Sequence, residues 1–316
     1  MRCRPPPFGR QYDGQMIAIP VRGLRTNGSN VPLIQVPDVG APVVVPEFGA
    51  QRYRHAYPGG RMLDALLVNR GSRTLMVSFH GALDRKTFSI PRFERLRSLL
   101  KYRVNSMFFA DPSLHIDPGL ELSWFTGWRG TNVHRDIASW IMHTAEVLGS
   151  EDIVLTGSSG GGFAALMVGS YVPDSTVIAY SPQVDISLYE ADGKYPHAAK
   201  RNYIRHVWPE LSAGKSIESF DFTSQWNESI EDRTSAVSRY STPRDTRILL
   251  VSNSRDIHHH QIHVEALRSA PGIDADRLQV MDYRGPEGHR PPGPEHFDQG
   301  LLRGARWAGF ELPPSG

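Results

Sequence analysis

The chain has 316 residues, 40% of them hydrophobic and 22% charged, so it can bury a sizeable core and is long enough for one large domain with additions. A formal net charge of +2 gives no electrostatic footprint for nucleic acid or an anionic membrane, and the single cysteine, Cys3, rules out an intramolecular disulfide and a metal–thiolate cluster. No apolar run approaches the length of a membrane-spanning helix, and the stretch 16–21, interrupted by Pro20, is too short for a secretory signal, so a soluble, cytoplasmic protein without membrane insertion is the expectation.

Residues 1–60 are rich in Pro and Gly and carry short β-prone runs such as Val43-Val44-Val45, which reads as a β-rich N-terminal extension to a domain spanning 61–316. The runs 63–69 and 74–79 are apolar and β-prone, with Arg70-Gly71-Ser72-Arg73 between them in the manner of a hairpin turn. Helices and strands then alternate: helix 91–102, strand 105–110, helix 132–148, strand 152–156, a helix over 162–168 that stops near Pro173, and strand 176–180. Arg92, Arg95, Arg97, Lys101 and Arg103 read as the solvated face of the first of these helices. Such alternation predicts an α/β fold with a mostly parallel sheet and helices on both faces, and Met107-Phe108-Phe109 fits a strand buried on both sides. Between 181 and 243 the alternation stops. This insertion, with Trp208, Trp226, Tyr189, Tyr203 and Phe220 among polar residues, is longer than an ordinary connection and is a candidate lid. Alternation resumes with strand 247–252, helix 259–269, strand 277–283 and a last helix from near Pro294.

The chemistry centres on Gly157-Ser158-Ser159-Gly160-Gly161, a G-x-S-x-G pattern between a buried strand and a helix. A strand that reverses sharply into a helix brings backbone close on both sides of the serine, so glycine is favoured there. A serine hydroxyl needs a base to take its proton, and the base needs a carboxylate to fix its tautomer. Asp256 follows one late strand and His289 follows the next, within Arg284-Gly285-Pro286-Glu287-Gly288-His289-Arg290. The order Ser159, Asp256, His289, each after a successive strand, resembles the α/β-hydrolase superfamily over residues 62–310.

That resemblance implies an oxyanion hole made by the amides of Gly160 and Ala82, the latter in His80-Gly81-Ala82 directly after a strand, with His80 stabilising the turn. Asp185, after strand 176–180, occupies the other place where the superfamily keeps its acid. Thr156-Gly157-Ser158-Ser159-Gly160-Gly161 also fits the opening of a dinucleotide-binding motif, but it comes after several strands and no Tyr-x-x-x-Lys follows it. His259 and His263, four apart, could face one metal ion, yet no third ligand and no HExxH pattern accompany them, so neither metal nor cofactor is expected. Ser158, Trp208, Trp226 and His258 are candidate substrate contacts.

The resemblance implies hydrolysis of a carboxylic ester through an acyl-enzyme, with a small-molecule or glycan-linked ester as substrate. Ala179-Tyr180-Ser181-Pro182-Gln183 and the general layout also look like hydrolase-type proteins encoded with bacterial surface-glycan machinery, including acetyl-transferring members. Acyl transfer to or from a glycan hydroxyl is therefore the alternative within the enzyme class. A binding protein with an idle triad is the alternative outside it.

Overall fold

A computed structural model describes residues 23–40, 48–190, 198–212 and 214–314. Its nine strands are β1 (Leu33–Gln35), β2 (Gly49–Ala56), β3 (Met62–Asn69), β4 (Thr74–Phe79), β5 (Asn105–Ala110), β6 (Asp152–Ser158), β7 (Thr176–Tyr180), β8 (Arg247–Asn253) and β9 (Leu278–Tyr283). They form one sheet in the order β1-β2-β3-β5-β4-β6-β7-β8-β9. From β5 through β9 every neighbouring pair is parallel, whereas β3 runs antiparallel to both β2 and β5.

One expectation about strand pairing changes here. The runs 63–69 and 74–79 are not a hairpin, because β5 lies between them in the sheet. The turn's backbone is satisfied from elsewhere: Asn105 Oδ1 accepts from the amides of Arg70 and Ser72, and Asn105 Nδ2 donates to Ser72 O, which carries the chain past the start of β5. The N-terminal extension contributes to the main sheet, since β2 pairs along its length with β3 from Gly49↔Asn69 to Ala56↔Met62. The runs 16–21 and 43–45 lie outside the described residues.

Side chains alternate across the sheet with period two and feed two cores. On one face Leu75, Val77, Leu155, Val177 and Leu250 pack beneath α2 (Val133–Leu148) and α3 (Gly160–Gly169). On the other, Met76, Val154, Ile178 and Leu249 pack against Phe297, Leu301 and Ala305 of the C-terminal helix. The helix expected over 91–102 shrinks to α1 (Leu96–Leu99), because Arg95 adopts φ 61° and a right-handed helix cannot begin before it. α2 keeps its expected bounds: the Asn132 side chain accepts from Arg135 N at its start, and Gly149 takes φ 63° at its end.

The insertion consists of short helical turns with α4 (Ala198–His206), α5 (Glu231–Thr234) and α6 (Ala236–Arg239). Beyond it, His259–His263 forms a π-helical turn that runs into α7 (Val264–Arg268), and α8 (Pro294–Ala308) closes the chain. Gly300 and Gly304 let α8 approach β7 closely: a Cβ on Gly300 would sit 2.6 Å from Tyr180 Oη, and one on Gly304 2.4 Å from Ile178 Cδ1. Burying Phe297 and Leu301 at this contact contributes about 1.5–3 kcal/mol each. Among the described residues no helix is long and apolar enough to cross a membrane.

Candidate active site

Ser159, Asp256 and His289 each follow the carboxyl end of a parallel strand, β6, β8 and β9, the place where open α/β sheets hold ligands. Ser159 directly follows β6 with φ 56° and ψ −123°, a conformation that costs an L-residue about 1–3 kcal/mol. Its surroundings leave no room to relax. A Cβ on Gly157 would lie 2.3 Å from the Gly161 carbonyl group, and one on Gly161 would lie 2.4 Å from Phe79 O, so glycine is required on both sides of the turn. The Ser159 amide donates to Tyr180 O at 2.9 Å, which ties the turn to β7.

The structure brings Ser159, His289 and Asp256 into one line. Ser159 Oγ is 2.7 Å from His289 Nε2, and His289 Nδ1 is 2.6 Å from Asp256 Oδ2. Asp256 is buried, whereas the His289 side chain keeps 21% exposure toward the cavity. Burial alone would raise the Asp256 pKa, but hydrogen bonds from His259 and His289 outweigh it and hold the carboxyl well below the usual carboxylate range. Asn253, at the end of β8, joins the two loops: its Nδ2 donates to Pro286 O and its Oδ1 accepts from the amides of Gly285 and Arg255. Arg95 braces the far side of the histidine loop through Pro292 O at 2.9 Å, its guanidinium lying 4.4 Å above the Phe297 ring.

Two backbone amides lie close to the serine, Gly160 next to it in the chain and Ala82 in the lining of the same cavity. Gly160 is the first residue of α3, so its amide has no acceptor within the helix. The strand-end loop at Gly81 lies against the elbow: a Cβ on Gly81 would lie 3.0 Å from Ser158 O and 4.0 Å from Gly160 N. Gly81 N donates to Glu94 Oε2, and His80 Nδ1–H donates to Gly81 O, which fixes the loop that carries Ala82. His80 Nε2 in turn accepts from Asp111 N, and burial lowers its pKa, so this ring is a neutral brace for the turn. Neither Gly160 N–H nor Ala82 N–H is spent on another described residue.

Asp185 lies apart from this line. Its Oδ1 accepts from Ser187 N, Ser187 Oγ and Asn227 Nδ2, which leaves it bracing the insertion. Among the described residues lining the cavity at Ser159, of ≈ 330 Å³, are Ala82, Glu94, Ser158, Ser181, His289 and Arg290. Ser158 is buried there with its hydroxyl unpartnered. Trp208 and Trp226 are not among these lining residues. Trp208 is buried under the Arg233 guanidinium, 5.1 Å from its ring, and Trp226 packs on Phe220 and Phe222. His258 is held off the cavity by its Nε2–H donating to Leu188 O at 3.0 Å.

Three further side chains reach the line. His259 Nδ1 is 3.0 Å from Asp256 Oδ1, and its ring stacks on that of His289 at 3.7 Å and 13°. Gln183 Nε2 is 3.1 Å from Ser159 Oγ and 2.7 Å from His259 Nε2, and Gln183 Oε1 accepts from Trp124 Nε1 at 3.1 Å. Sequence reasoning placed none of them on this line: His259 entered as a metal candidate, Gln183 only as part of a shared segment at the opening of an irregular insertion, and the φ of 53° at Trp124 is announced by no motif. As for a metal held by His259 and His263, their Nδ1 atoms are engaged separately, with Asp256 Oδ1 and with the amide of Val184.

A family model described as "Putative esterase" matches residues 113–291, more than half of the chain. The chain belongs to this esterase family. The matched span encloses Ser159, Asp256 and His289. Among solved structures, the capsule O-acetyltransferase of Neisseria meningitidis serogroup A superposes with a TM-score of 0.53 at 16% identity, over 78% of this chain and 91% of that one. Puromycin hydrolase gives a TM-score of 0.54 at 16% identity over 84% of this chain and 41% of that one. Prolyl oligopeptidase B from Galerina marginata gives 0.52 at 13% identity over 84% and 38%. At these identities the likeness is one of fold, the α/β-hydrolase fold. No curated protein matches the chain.

Proposed function

We propose that this esterase-family chain is a serine hydrolase that cleaves a small carboxylic ester through an acyl-enzyme. The observation that carries the proposal is the continuous line from Ser159 Oγ through His289 to Asp256 beside two unspent amide donors. In this reading Ser159 Oγ attacks the acyl carbon as His289 Nε2 takes its proton. Asp256 holds the resulting imidazolium, and the amides of Gly160 and Ala82 receive the negative charge that develops on the carbonyl oxygen. His289 then gives the proton to the leaving alcohol, and water repeats the sequence against the acyl-serine.

The cavity's ≈ 330 Å³ lies at the lower end of the range for ligand pockets, which favours a short acyl group. A second reading, acyl transfer to a glycan hydroxyl, is favoured by the polar lining, where Glu94, Ser158 and Ser181 could hold a hydroxyl-rich acceptor. The fold neighbour named as a capsule O-acetyltransferase is consistent with it.

Kinetics on p-nitrophenyl acetate, butyrate and octanoate, each with and without a polyol, test both readings. Hydrolysis that falls steeply with acyl length supports the first, and a polyol-dependent yield of acylated polyol supports the second. An enzyme most active on octanoate would overturn the assignment of a short acyl group.

A further inference from the structure

Gln183 is fixed at both ends by groups that leave no choice of orientation. The Trp124 indole nitrogen can only donate, so the amide oxygen at 3.1 Å must be its acceptor and the amide nitrogen must face the other way. That nitrogen carries two hydrogens and offers no lone pair, so His259 Nε2 at 2.7 Å accepts one of them. His259 therefore carries its proton on Nδ1, which faces Asp256 Oδ1 at 3.0 Å. The second amide hydrogen is left for Ser159 Oγ at 3.1 Å, whose own hydrogen points to His289 Nε2 at 2.7 Å. The Ser159 Oγ to Gln183 Oε1 distance of 3.4 Å is the longer of the two contacts, and the serine has no second hydrogen to give it.

We propose that Gln183 and His259 are a positioning pair for the serine line, in which neutral His259 holds the Gln183 amide so that it donates to Ser159 Oγ while both imidazoles share the Asp256 carboxylate. The proposal rests on the reading of Ser159 as nucleophile. With one donor placed on Oγ, the hydroxyl hydrogen is aimed at His289, and the same donor faces the oxygen as it regains negative charge when the acyl bond breaks. Through His259, the setting of the serine is coupled to the carboxylate that sets the base.

Protonating His259 would undo the arrangement. An Nε2–H directed at Gln183 would turn the amide round, strip the Trp124 indole of its acceptor and take the donor from Ser159. The groups facing His259 are Asp256 from the loop before it, His258 and His263 from its own turn, Tyr189 from the insertion and His289 from the loop after β9. Burial, with repulsion from His289 and His258, pushes the His259 pKa down to about 4 against the pull of Asp256. His263 is likewise held neutral, chiefly by burial. The pair thus keeps one protonation state across the range in which an imidazole base works.

The alternative is that these groups only brace the insertion against the domain, and two variants separate the possibilities. Gln183→Glu keeps the shape but has no hydrogen for Ser159 Oγ or for His259 Nε2, and its charge draws a proton onto His259. Gln183→Met keeps the length and removes the donors without adding charge. Both should keep the far-ultraviolet circular dichroism of the parent and lose at least ~10-fold in kcat on p-nitrophenyl acetate, the scale for removing a donor at a reacting oxygen, with KM changed less than ~3-fold.

Nitrogen-15 NMR of the imidazoles adds a readout that bracing would not move. His259 of the parent should be a neutral ring with its proton on Nδ1 at pH 7, and it should become an imidazolium in Gln183→Glu alone. Folded variants with kcat within threefold of the parent, or a parent His259 protonated on Nε2, would overturn the proposal. If the parent itself fails to react with a fluorophosphonate at Ser159, the hydrolase reading falls, whereas the tautomer of His259 still decides whether the pair exists.

Discussion

Replacing Asp256 by Asn probes the point at which two imidazoles depend on one carboxylate. Asp256 accepts from His289 Nδ1 at 2.6 Å through one oxygen and from His259 Nδ1 at 3.0 Å through the other. An asparagine has one oxygen and one NH2 in the same place, so it can satisfy only one of these donors. If the NH2 faces His289, that ring must move its proton to Nε2 and can no longer accept from Ser159. If it faces His259, the Nε2 of that ring becomes a donor aimed at the Gln183 NH2, and the hydrogen bond to Ser159 Oγ is lost. The first outcome corresponds to a loss of about 10⁴ in kcat, or about 5 kcal/mol of transition-state stabilisation. The second costs about 10-fold or more. Because the populations contribute to kcat in proportion, a variant held in the first orientation should lose about 10⁴ in kcat on p-nitrophenyl acetate, and one sampling both equally at least ~20-fold, while remaining folded by circular dichroism. Asp185→Asn should stay within ~10-fold of the parent, because Asp185 bonds to Ser187 and Asn227. The reasoning fails if Asp256→Asn keeps more than about 10% of kcat, or if the ranking of the two variants is reversed.

Acid should weaken the fold before it protonates Asp256. Burial pushes the His134 pKa down from 6.5 to about 3, its Nε2–H donating to Trp124 O. The unfolded chain thus takes up a proton near pH 6.5 that the folded chain refuses until about pH 3, and stability falls as pH drops through that window, by up to ~1.4 kcal/mol per pH unit for this group. The gap between urea midpoints at pH 7 and 5 should narrow in His134→Gln, which keeps a donor for Trp124 O but does not titrate; an unchanged pH slope would exclude His134 as a source. Trp208→Ala removes a side chain with 4% exposure and should cost about 3–5 kcal/mol of stability while leaving the preference between acetate and butyrate esters unchanged. A shift in that preference larger than the change in fluorophosphonate reactivity would return Trp208 to the substrate pocket.

The parts of the fold that were legible in the sequence are those dictated by local pattern. The glycines around Ser159 mark a turn that only glycine can flank, the capped helix from Asn132 keeps its bounds, and the strands before Asp256 and His289 lie where apolar β-prone runs place them. What could not be read depends on partners distant in the chain. The segment 70–73 has the composition of a hairpin turn, yet Asn105, more than thirty residues on, takes up its backbone groups. Arg95 breaks an otherwise periodic helix and braces a loop nearly two hundred residues away. His259 announced itself as one of a pair of histidines, four apart, that suggested a metal. Its position under His289 becomes visible only when the π-helical turn sets it there.

The most direct test of the account is to treat the parent, Ser159→Ala and His289→Ala with a fluorophosphonate and locate the adduct by peptide mass spectrometry. One phosphonyl group on Ser159 in the parent, none in Ser159→Ala and much slower labelling in His289→Ala is the predicted result. Labelling of the parent and Ser159→Ala to the same extent, or an adduct on any other residue, would contradict it.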